Sequence, residues 1–419
     1  MARRPERSVI EVFLDAPDLV AGQRIGTLFR HAARTDLAAS FEYSPSWLAH
    51  EGAFLLDPRL ALWTGEQYPP HPASAFGIFL DSAPDRWGRV LMERREAAAA
   101  AREQRPMRAL QELDFLLGVN DFARMGALRF KEPGATHFLD NSPHAAPPVT
   151  DLRELAEISR RIEEPGVEQL PAYEQWLAML VAPGSSLGGA RPKANFRMPD
   201  NTLWLAKFPA KDDRHDVGGW EYLVHQLATR AGIRVPAARL ERLTDRHSTF
   251  CVARFDRHGE QRRMYASAMT MLERRDGEDG ASYLDLALFL QDNGAQGCIA
   301  QDLEQLFRRV VFNAMVGNRD DHLRNHGFIR EPSGWRLSPA FDLNPNLAKT
   351  EHALSFDGMN TVASLERVKD TADYYRCEGR AGRVINEVHA AVRAWRTEAQ
   401  RLGLPPIEIK RMASVFLQA

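Results

Sequence analysis

Gly317-Asn318-Arg319-Asp320-Asp321-His322-Leu323-Arg324-Asn325 is the stretch on which the fold turns. It follows a run in which Leu303, Leu306, Phe307, Val310 and Ala314 recur at helical spacing, so an acidic loop is expected at the end of an amphipathic helix. Gly327 to Arg330 then reads as a strand, Glu331-Pro332-Ser333-Gly334 as a turn, and Trp335 to Leu337 as the returning strand. A hairpin returns its ends to one place, so Asn325 just before it and Asp342 just after it are expected to meet. Two oxygen ligands converging beside a third acid suit Mg²⁺, a hard cation that prefers oxygen donors. A loop that merely caps helices is the plainer reading of D-x-x-x-x-N alone; the hairpin and Phe341-Asp342 weigh against it.

The protein-kinase catalytic loop H-R-D-x-x-x-x-N has the same Asp-to-Asn spacing, with Asp accepting the acceptor's proton and Asn holding a metal. Here Asn318 stands in place of the His. Upstream, Gly184-Ser185-Ser186-Leu187-Gly188-Gly189-Ala190-Arg191-Pro192-Lys193 could turn backbone N–H groups toward phosphate, although it matches neither a Walker A box nor G-x-G-x-x-G. A hairpin follows it, with Ala194, Phe196 and Met198 alternating, a turn at Pro199-Asp200-Asn201, and a second strand from Thr202 to Phe208. Lys207 lies on that strand and Glu221 opens the next amphipathic helix, an arrangement suited to a Lys–Glu pair that holds nucleotide phosphates. A solvent-facing Lys and a first-turn Glu favoured by the helix dipole fit the same residues. Thr249 to Phe255 reads as a further strand running into Asp256-Arg257-His258.

Working outward, 419 residues suggest two or three domains. Val9 to Leu14 is rich in strand formers, strand-like pieces recur up to Trp63, and residues 86–118 read as helical. Composition breaks between Lys131 and Pro148, which reads as a linker at 131–150. Helices are expected near 151–163 and 171–182, and the chain should be mostly helical from 281 onward. The expected class is α+β: an N-terminal β-rich domain over 1–130, then a core over 151–419 with a small part to about 257 and a helical part beyond.

Lys plus Arg is 54 against 56 for Asp plus Glu, a net charge of −2, which argues against a broad nucleic-acid or anionic-membrane face. Cys251, Cys298 and Cys377 form no C-x-x-C pattern and no even disulfide framework, as suits a reducing cytosol. No apolar segment follows the charged start and no run is long enough to span a bilayer, so a cytoplasmic protein without signal peptide is expected. H-E-x-x-H and G-x-S-x-G are absent, so zincin and hydrolase readings gain nothing.

In this order the segments resemble the HipA family of serine/threonine kinases, the toxin halves of bacterial toxin–antitoxin modules. The resemblance covers most of the chain. Phe79-Leu80-Asp81-Ser82-Ala83-Pro84-Asp85-Arg86 and Gly126-Ala127-Leu128 look like the family's N-terminal domain. Leu187 to Lys193, Arg254-Phe255-Asp256-Arg257, Asn318 to Asn325 and Ala340-Phe341-Asp342 look like its kinase core, which is bilobal. The resemblance implies ATP and Mg²⁺ as cofactors, Asp320 as catalytic base, and Asn325 and Asp342 as metal ligands. It implies nucleotide contacts from Gly188, Gly189, Ala190, Arg191, Lys193, Lys207 with Glu221, Ala253, Phe255 and His322. It also implies inactivating autophosphorylation at Ser186, with Ser185 leaving the register open by one. The implied partners are a small helix-turn-helix antitoxin, operator DNA mainly through that antitoxin, and a protein substrate such as an aminoacyl-tRNA synthetase. Asp321 is a departure, since the position is often small or neutral in the family, and it leaves two neighbouring candidates for the base. A small-molecule or lipid kinase of related fold and a catalytically weak corepressor are the competing readings.

Overall fold

The computed structural model describes residues 7–31, 39–71, 74–140, 146–181, 189 and 191–416. By their internal contacts these residues form two compact units, Met1–Ala206 with Asp256–Ala266, and Lys207–Phe255 with Ser267–Ala419. Helices and antiparallel sheets occur in both, so the class is α+β as expected.

In the first unit, β1 (Arg7–Ala16), β2 (Val20–His31), β3 (Ala39–Tyr43) and β4 (Leu128–Lys131) make a sheet in the order β3-β2-β1-β4. Along β1, Ile10, Val12, Leu14 and Ala16 are buried while Glu11, Phe13 and Asp15 are half-buried, the period-two pattern of a sheet with one covered face. Phe79 packs its ring 5.3 Å from Phe41 and 6.2 Å from Phe130, fixing the short helix Gly77–Leu80 to that face. The expected run of strands to Trp63 stops at Tyr43; turns and a short helix, Pro45–Leu48, follow. The expected continuous helix over 86–118 is two helices, Arg86–Arg102 and Glu112–Leu117. The break has a local cause: Gln104 adopts a left-handed φ of 51°, and Pro106 two residues on cannot donate to a helical ladder. Farther along, Leu152–Arg161 and Tyr173–Val181 are helical. The hairpin of β5 (Lys193–Arg197) and β6 (Leu203–Lys207) turns through Asn201 at φ 63°.

The second unit is built around the helix Ile299–Val316, whose Leu303, Leu306, Phe307, Val310 and Ala314 are at most 1 % exposed. Val311, Phe312 and Met315 on its other faces are equally buried, so this is a central helix rather than a one-sided surface one. It stops at Gly317, which takes a left-handed φ of 62° and lies so close to Val415 that a Cβ would approach its Cγ1 to 2.4 Å. The helices Val217–Arg230 and Ala381–Val392 pack nearby. β7 (Ala238–Glu241) pairs with β8 (Thr249–Ala253). In the first unit, β9 (Arg257–His258) and β10 (Gln261–Arg262) form a short ribbon, and β11 (Tyr265–Ser267) leads the chain onward. The expected hairpin appears as β12 (Gly327–Glu331) and β13 (Gly334–Leu337), with Phe328 opposite Leu337. Among the described residues no helix is long and apolar enough to cross a membrane.

Candidate active site

Lys207 is the last residue of β6, and only 9 % of it is exposed. Its ammonium donates to Glu221 Oε1 at 2.5 Å and to Asp342 Oδ1 at 2.7 Å. Burial works against the charged form, but the two carboxylates outweigh it and hold the Lys207 pKa well above the ordinary lysine value. Glu221 is 2 % exposed in the first turns of the helix Val217–Arg230. That helix is capped by Asp216, which accepts from Gly219 N at 3.0 Å and from Ser248 N at 2.9 Å, so the same carboxylate ties the helix start to the entry of β8. Gly218 permits the close approach, since a Cβ there would lie 2.4 Å from the Ser248 carbonyl oxygen.

Asp342 takes a left-handed φ of 56°, uncommon for a residue with a side chain and more tolerable for Asp than for most. Its Oδ1 also accepts from Asn344 Nδ2 at 3.3 Å. The β12–β13 hairpin is closed at its base by Ser338 N donating to the Gly327 carbonyl at 2.9 Å, and the buried Arg309 donates to the Ser338 carbonyl. Asn325 lies two residues before that closure and Asp342 four after it.

Between Gly317 and the hairpin, the loop is held from inside. Asp321, 1 % exposed, accepts at Oδ2 from Tyr283 Oη and Asn313 Nδ2 at 2.7 Å each, and pairs with His326 Nε2 at 2.8 Å. Burial opposes its charge, yet His326 and these donors hold the Asp321 carboxyl below the usual range. Asp320 instead has a half-exposed carboxylate that accepts from Lys349 Nζ. Its backbone carbonyl accepts from His322 N at 3.0 Å and Asn325 Nδ2 at 3.1 Å. Of the two neighbouring acids, Asp321 is committed to the interior and Asp320 faces outward.

Asn325 Oδ1 and Asn344 Oδ1 are buried and have no hydrogen-bond partner among the described residues. Amide oxygens can only accept, so a hard cation fits them. The Asn325 and Asn344 oxygens and the Asp342 carboxylate are thus donors of the kind that Mg²⁺ takes. Among the described residues no group of three His, Cys, Asp or Glu side chains could bind a metal, which is compatible with Mg²⁺ taking one carboxylate and completing its sphere with water and phosphate. His322 Nδ1 is also buried without a partner. Phe255 stacks on Phe341 with ring centroids 5.2 Å apart. Ala253 N donates to the Ala237 carbonyl at 2.8 Å.

In the first unit, Lys193 is 1 % exposed, and its ammonium donates to Asp85 Oδ2 at 2.6 Å and to the Gly189 carbonyl at 3.2 Å. Asp85 is at the same time the N-cap of Arg86–Arg102, accepting from Gly88 N at 2.9 Å. Gly189 is exposed with φ 72°, and Arg191 is half-buried. Ser185, Ser186, Gly188 and Ala190 lie outside the described residues. The Asp256-Arg257 pair is a latch within this unit: Asp256 Oδ2 accepts from Gly126 N at 2.8 Å, and Arg257 Nη2 donates to the carbonyls of Arg124 at 2.6 Å and Phe122 at 3.2 Å. Sequence reasoning did not single out Asn344, and it quoted Asp85 and Asp256-Arg257 within family-like motifs without their partners, Lys193 and Gly126. Asp85 carried a second signal, as an Asp placed to cap a helix.

The profile of the HipA-like C-terminal domain matches residues 185–395, and that of the HipA N-terminal domain matches residues 19–131. The serine/threonine-protein kinase toxin HipA of Shewanella oneidensis is 27% identical over 268 residues, 55% of this chain and 59% of that protein. A Haemophilus influenzae protein with a provisional kinase name is 25% identical over 181 residues, 38% of this chain and 52% of its own length. The chain thus spans little more than half the length of these relatives. Among solved structures, the Shewanella oneidensis toxin–antitoxin complex of HipA, HipB and operator DNA has a chain that superposes with a TM-score of 0.62 at 18% identity, covering 97% of this chain and 94% of that one. Such a likeness speaks for the fold. With one profile matching about half of the chain, a second matching its N-terminal part and the fold shared along its length, the chain belongs to the HipA family.

Proposed function

We propose that this chain is an ATP- and Mg²⁺-dependent serine/threonine protein kinase and the toxin of a toxin–antitoxin module. The observation that carries the reading is the convergence of Glu221 and Asp342 on the buried Lys207 ammonium, in the same unit as the Asp320–Asn325 loop. Three groups with a net negative charge are suited to a cation and the phosphates it carries. Lys207, oriented by Glu221, contacts the nucleotide phosphates; Asp342, Asn325 and Asn344 hold Mg²⁺. When bound, Mg²⁺ neutralises the charge on the phosphates. Asp320 accepts the proton of the acceptor hydroxyl, and its fixed backbone carbonyl keeps it in place. Asp321 holds the loop rigid, so that catalysis comes from positioning. Ala253 and Phe255 border the adenine, with His322 near the nucleotide.

Residues 188–193 form the phosphate loop, with Lys193 anchoring it at Asp85. Autophosphorylation at Ser186 or Ser185 switches the enzyme off by adding about −1.5 to −2 charge beside the phosphates. The substrate class is a translation component such as an aminoacyl-tRNA synthetase. The partner is a small helix-turn-helix antitoxin, through which operator DNA is reached; HipA of Shewanella oneidensis has been captured with HipB and operator DNA. The domain division that goes with this reading is 1–130, a linker at 131–150, and a kinase core at 151–419 divided near 257. The test is mass spectrometry of new phosphosites after incubation with Mg-ATP and a cell lysate, with Asp320→Ala as control. New sites with the native chain and none with the variant support the reading; identical site lists refute it.

A further inference from the structure

One basic residue faces the proposed base and has no role in the reading above. Lys349 lies in the exposed segment after Asp342, and its ammonium meets Asp320 Oδ1. An exposed ion pair between a long flexible lysine and a carboxylate is weak and holds neither group by itself. Here the backbone around the lysine is built to deliver it. Asn346 Oδ1 accepts from Ala348 N and Lys349 N at 2.9 Å each, closing a tight turn. Asn346 N donates to the Gly317 carbonyl at 3.0 Å, and Ala353 N to the Arg319 carbonyl at 3.1 Å. Arg319 Nη1 donates to the carbonyls of Asn346 at 3.0 Å and of Lys349 at 2.9 Å. The two segments are interlaced: Arg319, next to the base, holds the lysine's backbone, while the lysine's side chain holds the base.

We infer that Lys349 is a positioning residue for phosphoryl transfer, fixing the Asp320 carboxylate through Oδ1 so that Oδ2 is presented to the acceptor hydroxyl. This rests on Asp320 being the base. In the step it serves, the acceptor oxygen forms a bond to the γ-phosphorus while the bond from that phosphorus to the β–γ bridging oxygen breaks. ADP leaves with the electron pair of that bond, and the hydroxyl proton passes to Asp320 Oδ2. Lys349 neither gains nor loses a proton; it keeps the carboxylate from rotating and offsets its charge as the phosphoryl group approaches. The lysine acts on the base, not on the nucleotide, so its loss should slow transfer and leave ATP affinity alone.

The experiment compares the intact wild-type chain with Lys349→Met, Lys349→Arg, Asn346→Ala and Asp320→Ala. It reads single-turnover incorporation of γ-labelled phosphate from Mg-ATP into the chain itself and into lysate protein, with Mg-ATP affinity by calorimetry. The expected result is no transfer by Asp320→Ala, and a rate loss on the order of 30-fold in Lys349→Met with affinity within about twofold of wild type. Lys349→Arg should recover most of the rate, and Asn346→Ala should fall between. Wild-type rate in Lys349→Met beside a dead Asp320→Ala overturns the inference and leaves the kinase reading standing. Loss of ATP affinity in Lys349→Met in proportion to the rate also overturns it. Equal behaviour of wild type and Asp320→Ala overturns the kinase reading itself. Lys349 is half-exposed, so its variants are expected to fold.

Discussion

Lys193 opens β5 and Lys207 closes β6, and both ammonium groups are buried, yet their surroundings differ. Lys193 meets one carboxylate, Asp85, which also caps a helix. That is a balanced pair, and its consequence is to tie the end of the glycine-rich segment to the start of Arg86–Arg102. Lys207 meets two carboxylates, Glu221 and Asp342, where Lys193 meets one. One carboxylate suits an anchor; two suit the proposed place for a cation and the phosphates it carries.

The largest expected effect separates the two lysines by activity. Lys207→Met should lower phosphoryl transfer by about 10³-fold, the scale for removing a group that stabilises transferring charge. It also leaves Glu221 and Asp342 facing each other without their shared cation, so one should take up a proton on burial. A Lys207→Met chain that transfers phosphate at the wild-type rate breaks the comparison.

Next comes stability. Lys193→Met strands the buried Asp85 carboxylate and should cost about 3 kcal/mol, read as a lower denaturant midpoint at unchanged slope. Adding Asp85→Asn removes the second charge and keeps a side chain able to cap, so most of that loss should return. A midpoint that Lys193→Met does not move would falsify the anchor.

Burial without a carboxylate in contact sends a group the other way. Burial holds the His352 imidazole down at about 4, against the weaker opposite pull of Asp321. Above the ordinary value of 6.5 the group is neutral in both states and contributes nothing to pH dependence. As pH falls from 6.5 toward 4 the unfolded chain takes up a proton that the folded chain refuses, so stability drops, by about 3 kcal/mol over the whole window. His352→Gln should flatten that slope in urea titrations run across the window. An unchanged slope assigns the acid sensitivity elsewhere.

The smallest effect sharpens the contrast with the surface. Arg102 and Glu174, 60% and 50% exposed, pair at 2.7 Å. Removing either should shift the midpoint by no more than about 0.5 kcal/mol, because water and salt already screen the pair.

What could be read from sequence follows the range of the interactions. Asp320 and Asn325 sit in one short loop, the 327–337 hairpin is local, and the helix stripe from Leu303 to Ala314 shows its period directly. Lys207 and Glu221 are close enough in sequence for a strand-to-helix step to suggest a pair. Asp85 is 108 residues from Lys193, and Gly126 is 130 from Asp256, and no spacing rule links such partners. Asp321 was ambiguous for a related reason. Whether an acid in a loop faces inward depends on Tyr283, Asn313 and His326, and only Asn313 and His326 are near it in sequence. The helix expected over 103–111 failed because one left-handed residue and one proline outweighed an otherwise helical composition.

The most direct measurement of the central claim is calorimetric titration of ATP, with and without Mg²⁺, into the wild-type chain, Asn325→Ala and Asp342→Asn. The expected result is nucleotide binding that requires the metal in the wild type and is weakened at least tenfold, about 1.4 kcal/mol, in each variant. Equal metal-dependent binding by all three chains, or binding indifferent to Mg²⁺, contradicts the assignment of Asp342 and Asn325 to the cation.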